Sequence, residues 1–148
     1  TNRLVVIVPA DSRTTLNRLA DLNASAVKRL AVAEATVPAG KYAREALASA
    51  DLLDALAPRF VEGLDVRATL QYVARDEVDA GLVYASDAVS EPSVPVVGAF
   101  PASSPPAIVY PGAVLAGAAD PADTAFFAAL SSDAGDALFA AQGFAILP

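Results

Sequence analysis

The sequence predicts an α/β domain, with a mostly parallel five-stranded sheet and helices on both of its faces. Short uninterrupted apolar runs rich in β-branched residues, of the kind found in strands covered on both sides, recur along the chain. They alternate with helically spaced segments, about five βα-type repeats in roughly the first 100 residues, the pattern of a parallel sheet. The composition agrees: 55% of the 148 residues are hydrophobic but only 7% aromatic. The apolar content is therefore mainly small Ala, Val and Leu, which suits close packing of helix on sheet.

The first strand is Leu4-Val5-Val6-Ile7-Val8, stopped by Pro9. Leu16, Leu19 and Leu22, spaced by three, predict a short helix over residues 14–22, and Leu30-Ala31-Val32-Ala33 is a second buried strand that closes a β–α–β unit. Thr36-Val37-Pro38-Ala39-Gly40 leads into a helix over residues 41–50, in which Tyr42, Ala46 and Ala50 recur every four positions. Pro38 belongs in the first turn of that helix, where its missing N–H costs nothing. A short helix near residues 52–56 precedes a brief strand at Phe60-Val61. Asp65 is then the N-cap of a helix over residues 66–75, with Val66, Leu70 and Val73 on one face. Gly81-Leu82-Val83-Tyr84 is the next strand, ending at a helix start, Ala85-Ser86-Asp87-Ala88. Val94-Pro95-Val96-Val97 is a strand that its proline directs to a sheet edge. Pro101-Ala102-Ser103-Ser104-Pro105-Pro106 is a linker, followed by a last strand over residues 107–109 that continues to Leu115, and by two helices rich in Ala and Phe.

Ten basic against seventeen acidic residues give a net charge of −7, the wrong sign for neutralising the phosphates of nucleic acid or of an anionic membrane. A small anion is still admissible, because backbone N–H groups and hydroxyls in a cleft act at short range while exposed charges are screened over roughly 10 Å. The absence of Cys and His removes disulfides, thiolate sites, the commonest general base and the commonest transition-metal ligand. The acidic pairs Asp76/Glu77 and Asp51/Asp54 read as solvated helix ends. There is no Gly-x-Ser-x-Gly elbow and no phosphate-binding Gly-rich loop, so no catalytic constellation emerges. No run approaches the ~18 apolar residues of a membrane span. The first residues are too short and wrongly ordered for a secretory signal. With no Met at all, the sequence reads as part of a longer product.

Open α/β sheets take ligands in the crevice beyond the carboxyl ends of their strands, where helix N-termini present free N–H groups. Two such ends stand out. At Val37-Pro38-Ala39-Gly40, small residues let an anion approach the N–H groups of Ala39 and Gly40. At Asp65-Val66-Arg67, the Val66 N–H lies in the first turn. Tyr84, ending a strand beside a helix start, could offer a neutral hydroxyl to the same crevice. Each also has a plain structural account: a helix start, a cap and a packed aromatic.

Several strings together resemble a known family. They are Asn2-Arg3-Leu4-Val5 through Pro9, Thr36-Val37-Pro38-Ala39-Gly40-Lys41-Tyr42-Ala43-Arg44-Glu45-Ala46-Leu47, Asp65-Val66-Arg67, Val78-Asp79-Ala80-Gly81-Leu82-Val83-Tyr84 and Val109-Tyr110-Pro111. In this order, over nearly the whole chain, they are similar to the periplasmic molybdate-binding proteins of ABC transporters. The resemblance implies the type II periplasmic-binding fold, in which two α/β lobes joined by crossover strands clasp an anion. Residues 1–8 would be the first crossover strand and residues 9–99 the second lobe. Residues 100–106 would be the crossover linker, and residues 107–148 a C-terminal return belonging to the first lobe. It implies molybdate, and tungstate with it, as ligand, held by the N–H groups of Ala39 and Val66 and the hydroxyl of Tyr84. It further implies no cofactor, no metal beyond the oxyanion, no catalysis, a membrane permease as partner and a periplasmic location. Sulfate as the oxyanion, and the effector-sensing domain of a transcription regulator with the same fold, are the alternatives.

Members of that family begin with a further segment that builds most of the first lobe and carries two serine-bearing loops completing the anion site; this sequence starts after it, so no serine here inherits those roles. The C-terminal helices bearing Phe126, Phe127, Phe139 and Phe144 are therefore expected to be exposed, rearranged or buried in a dimer. Hydrogen bonds to a charged group contribute ~1.5–3 kcal/mol each, so three donors supply roughly 4.5–9 kcal/mol, whereas nanomolar capture needs about 12 kcal/mol. The chain by itself should bind the anion weakly.

Overall fold

The computed structural model describes residues 1–13, 16, 18–101 and 108–147. Five strands, β1 (Leu4–Ile7), β2 (Leu30–Ala33), β3 (Phe60–Gly63), β4 (Ala80–Tyr84) and β5 (Val96–Ala99), form one sheet in the order β3-β2-β4-β1-β5. β2 is parallel to both β3 and β4, and β1 is antiparallel to both β4 and β5. Four strands therefore run one way and β1 runs against them. This corrects the expected β–α–β unit at the start of the chain. β1 and β2 are not neighbours, and a Leu-Val-Val-Ile run buried on both faces reads the same in either direction.

The helices lie on both faces of the sheet. α1 (Pro38–Ser49) and α2 (Leu53–Leu56) cover one side, and α3 (Val66–Ala74) and α4 (Ala85–Val89) cover the other. Strand periodicity sorts the core between them. Leu4, Val6, Leu30, Val32, Ala80 and Leu82 pack with Ala43, Ala46 and Leu47 of α1. The intervening Val5, Ile7, Ala31 and Val83 pack with Leu70 and Val73 of α3 and with Ala85 and Ala88 of α4. Each such Val, Leu or Ile removed from water contributes roughly 1.5–3 kcal/mol. That two-sided burial is why the strands read as continuous apolar runs.

Residues 14, 15 and 17 of the helix expected over 14–22 lie outside the described residues. Its described end is a 3₁₀ turn, Leu19–Asn23, anchored by Leu22 in the core and by the Arg18–Asp21 ion pair at 3.1 Å. β5 begins two residues later than expected, after Pro95, and is an edge strand. Proline has no N–H to give to a ladder, and here its carbonyl accepts from the Val8 N–H at 3.2 Å.

The C-terminal part departs most from expectation. Residues 102–106 of the linker, and Ala107, lie outside the described residues. The strand expected over 107–115 reduces to a single antiparallel bridge between Asn2 and Ile108. A strand needs a ladder partner, and among the described residues only Asn2 offers one. Val109, Tyr110, Val114 and Leu115 are exposed. The two helices do form, α5 (Pro121–Leu130) capped by Asp120 and α6 (Asp133–Ala141) capped by Ser132. α5 has no buried residue and α6 only Gly135. Phe126 and Phe139 are exposed, while Phe144 packs edge-on against Phe139 and Tyr110. The concavities beside these helices are open and apolar: one of about 880 Å³ lies along α5, and one of about 550 Å³ between Tyr110, Phe139 and Phe144.

Candidate anion-binding site

Because β3, β2 and β4 are parallel neighbours, their carboxyl ends share one edge of the sheet. α1 starts beyond β2, α3 starts beyond β3, and Tyr84 ends β4. Ala39, Val66 and Tyr84 are thus brought to the same edge. β1, running the other way, starts there, with Leu4 opposite Tyr84, so Asn2 and Arg3 join them.

Val37 gives α1 no side-chain cap, and its carbonyl accepts the first intrahelical bond from Lys41 at 3.1 Å. The N–H groups of Ala39 and Gly40 precede that bond and face no capping side chain. Gly40 serves a need the sequence did not disclose. A Cβ there would lie 1.9 Å from the carbonyl oxygen of Glu34 and 2.3 Å from that of Ala33, so its absence lets α1 sit directly on the end of β2. Arg44 fixes the junction. Its Nη1 donates to the carbonyls of Ala33 at 2.8 Å and Gly40 at 3.0 Å, its Nη2 pairs with Glu62, and its guanidinium lies 5.3 Å from the centre of the Phe60 ring.

The N-terminus of α3 is built alike. Gly63 leaves room for Thr69, whose Oγ1 would be 2.7 Å from an added Cβ, and the Thr69 hydroxyl donates to the Asp65 carbonyl at 2.9 Å. The Asp65 carboxylate accepts from the Ala68 N–H at 2.7 Å. Capping therefore consumes the N–H of Ala68 and leaves that of Val66 outside the cap.

Tyr84 is half-buried and edge-on to Tyr42 of α1, with ring centres 6.4 Å apart. Burial, then the neighbouring phenols of Tyr110 and Tyr42 and the carboxylate of Asp87, push its hydroxyl well above the usual phenol range. It stays a neutral donor. Burial also raises the Asp87 carboxyl above its ordinary range. A bond from the Tyr84 N–H, at 3.2 Å, and the charge of Arg67 oppose that rise, and Asp65 adds to it.

Sequence reasoning did not single out Asn2, Tyr42, Ser86, Asp87 or Tyr110 for this corner. The available signal was a polar Asn two positions before the apolar strand Leu4–Ile7. Among the described residues no group of acidic side chains could hold a metal ion, and no helix is long and apolar enough to cross a membrane.

A mixed α/β sheet that gathers two helix starts with N–H groups outside any cap, and a neutral phenol, at one edge has the architecture of a small-solute-binding domain. The chain belongs to the bacterial extracellular solute-binding protein family, whose sequence profile it matches over residues 1–145. It is 37% identical over 147 residues to the molybdate-binding protein ModA of Haemophilus influenzae and 38% identical over 155 aligned positions to that of Escherichia coli. These matches take in 97% and 98% of this chain but 58% of each relative, so the chain spans rather more than half their length. A solved substrate-binding domain assigned to a molybdenum ABC transporter of Clostridium difficile superposes with a TM-score of 0.90 at 34% identity, over 99% of this chain and 64% of that one.

Proposed function

We propose that this chain is the anion-holding lobe of a periplasmic binding protein that captures molybdate and delivers it unchanged to the membrane permease of an ABC transporter. The observation that carries the reading is the position of Ala39, Val66 and Tyr84 along one edge of the sheet, at the starts of α1 and α3 and the end of β4. Its context is a chain 37% identical to a molybdate-binding relative. Backbone N–H and hydroxyl donors suit a dianion whose charge is spread over four oxygens. Tungstate, of the same shape and charge, binds alike.

In this reading residues 1–8 and 100–106 cross between two lobes, residues 9–99 form the second lobe, and residues 107–148 return to the first. The bare apolar faces of α5 and α6 support that assignment, because they are the surface a second sheet would cover. Residues 1–148 alone bind the anion more weakly than the complete gene product.

The test is a calorimetric titration of the complete gene product with molybdate in excess sulfate. Saturable one-to-one heat is expected, and Tyr84→Phe should weaken binding roughly ten- to hundred-fold, the loss of one hydrogen bond to a charged group. Absence of heat in the unsubstituted protein would overturn the reading.

A further inference from the structure

Two of the three donors named above come from different helix starts, the Ala39 N–H from α1 and the Val66 N–H from α3. An anion held by both needs the gap between those starts set before it arrives, since a donor contributes fully only within about 0.5 Å of its productive position.

The backbone fixes part of this gap. The parallel ladder between β2 and β3 ends with Ala33 opposite Gly63, and the Glu34 N–H donates to the Gly63 carbonyl at 2.8 Å. Past that bond the two segments separate, one turning into α1 and the other into α3. Val37 offers α1 no side-chain cap. The close approach of Gly40 to the end of β2 is a wall that stops α1 moving inward and does not hold it there.

Arg44 supplies the attraction. Its Nη1 donates to the Ala33 carbonyl at 2.8 Å and to the Gly40 carbonyl at 3.0 Å, which ties the last residue of β2 to the first turn of α1. Its Nη2 pairs with the Glu62 carboxylate, and its guanidinium lies 5.3 Å from the centre of the Phe60 ring. Phe60 and Glu62 alternate along β3 and so share a face. One planar cation therefore spans α1, β2 and β3 with a fork of fixed geometry. The Arg44 side chain is 19% exposed and Glu62 50%, so the bonds to the carbonyls are the stronger arms and the Glu62 arm the weaker. Gly40 adjoins Ala39, and Glu62 leads through Gly63 and Asp65 to Val66, so the staple closes beside a donor on each side.

Resting on the capture reading above, we infer that Arg44 is a positioning residue for the oxyanion. It sets the separation of the Ala39 and Val66 N–H groups, and Glu62 orients its fork. It acts through the backbone it joins and not by its charge on the anion. Were charge alone responsible, Arg44→Lys would bind as the parent does. Glu62→Gln, with one negative charge fewer, would then bind the anion more tightly. Positioning reverses both expectations. Lysine lacks the fork, and glutamine holds the guanidinium less firmly, so both variants bind more weakly.

The experiment is the molybdate titration of the complete gene product, repeated on Arg44→Ala, Arg44→Lys, Glu62→Gln and Asp79→Ala, with Tm recorded for each. Asp79 is the control. Its carboxylate accepts from the N–H groups of Lys28 and Arg29, each at 2.8 Å, at the opposite end of β2 and β4, so Asp79→Ala should lower Tm and leave affinity unchanged. Arg44→Ala should weaken binding roughly ten-fold or more, the misalignment of one hydrogen bond to a charged group. Arg44→Lys should recover only part of that loss, and Glu62→Gln should weaken binding about two- to three-fold. Unchanged affinity in Arg44→Ala, full recovery in Arg44→Lys or tighter binding by Glu62→Gln, with normal binding by the unsubstituted protein, would overturn the positioning role and leave the capture reading standing. An equal loss of affinity in Asp79→Ala would mean that affinity follows stability wherever it is lowered, and would overturn it too. Failure of the unsubstituted protein to bind would remove the capture reading and this inference with it. Should Arg44→Ala fail to fold, Arg44→Lys and Glu62→Gln decide by the same comparisons.

Discussion

Replacing Gly40 by Ala puts two known effects in opposition. On helix propensity alone the change is favourable by up to ~1 kcal/mol. In place, the new methyl would meet Glu34 O at 1.9 Å, Ala33 O at 2.3 Å and Glu34 C at 2.6 Å, against an ordinary contact distance of roughly 3.5–4.0 Å. All three atoms are backbone, so no rotamer change relieves the clash, and α1 must shift by more than an ångström. Overpacking of this kind costs about 1–3 kcal/mol or more. Taking the upper figure, the net destabilisation is about 2 kcal/mol. For a chain of this size, at roughly 2–4 °C per kcal/mol, Tm should fall by roughly 4–8 °C. The same shift moves the Ala39 N–H, so anion affinity in the complete gene product should fall with it. Urea and thermal unfolding of the variant measure the first effect and titration the second. Gly117→Ala, where an added methyl meets nothing within 4 Å, serves as control and should stay within about 0.5 kcal/mol of the parent. A Gly40→Ala protein as stable as the parent would refute the close-approach argument.

Arg44→Ala should destabilise by about 2 kcal/mol in urea unfolding, since it removes charge-assisted bonds to the Ala33 and Gly40 carbonyls that contribute roughly 1.5–3 kcal/mol each before allowance for partial exposure; Arg44→Lys, which lacks the fork, should recover only part of it. Asp65→Ala should cost about 1 kcal/mol through loss of the cap on the Ala68 N–H, read as a lower urea midpoint at unchanged slope. Asp87 titrates above its ordinary value of 3.8 because of burial. Folding therefore favours its protonated form, and the stability it contributes is complete below that ordinary value and is lost as pH rises through the raised one. Asp87→Asn keeps an acceptor for the Tyr84 N–H, so its stability relative to the parent should increase from acid to neutral pH in parallel urea titrations; a constant difference would count against the burial argument.

Much of the sheet-and-helix architecture could be read from local chemistry. Leu30–Ala33 is the strand its apolar run announced, Pro38 stands in the first turn of α1, and Asp65 caps α3. Those signals are local because the groups involved lie within a few residues of one another. The direction of β1 was not legible. Nothing in Leu4–Ile7 distinguishes a parallel neighbour from an antiparallel one, and the choice is made by β4 and β5, far along the chain. The segment around Ile108 failed for a related reason, since its apolar pattern says that it is coverable, not that a partner is present. At the candidate site, the positions of Ala39, Val66 and Tyr84 at helix starts and a strand end were legible because those ends are marked locally. The Asn2–Ser86–Tyr110 contacts join residues more than 80 positions apart, and no local pattern reports them.

The antiparallel β1 also governs the order in which the chain can assemble. It precedes both of its partners in the chain, since Leu4 pairs with Tyr84 and Val5 with Ala99, so it stays without a ladder until β4 has been made. β2, β3 and β4 can associate through nearer contacts while β1 waits with both edges open. Closure through such distant pairs is slow, and an apolar strand with open edges invites association with other chains.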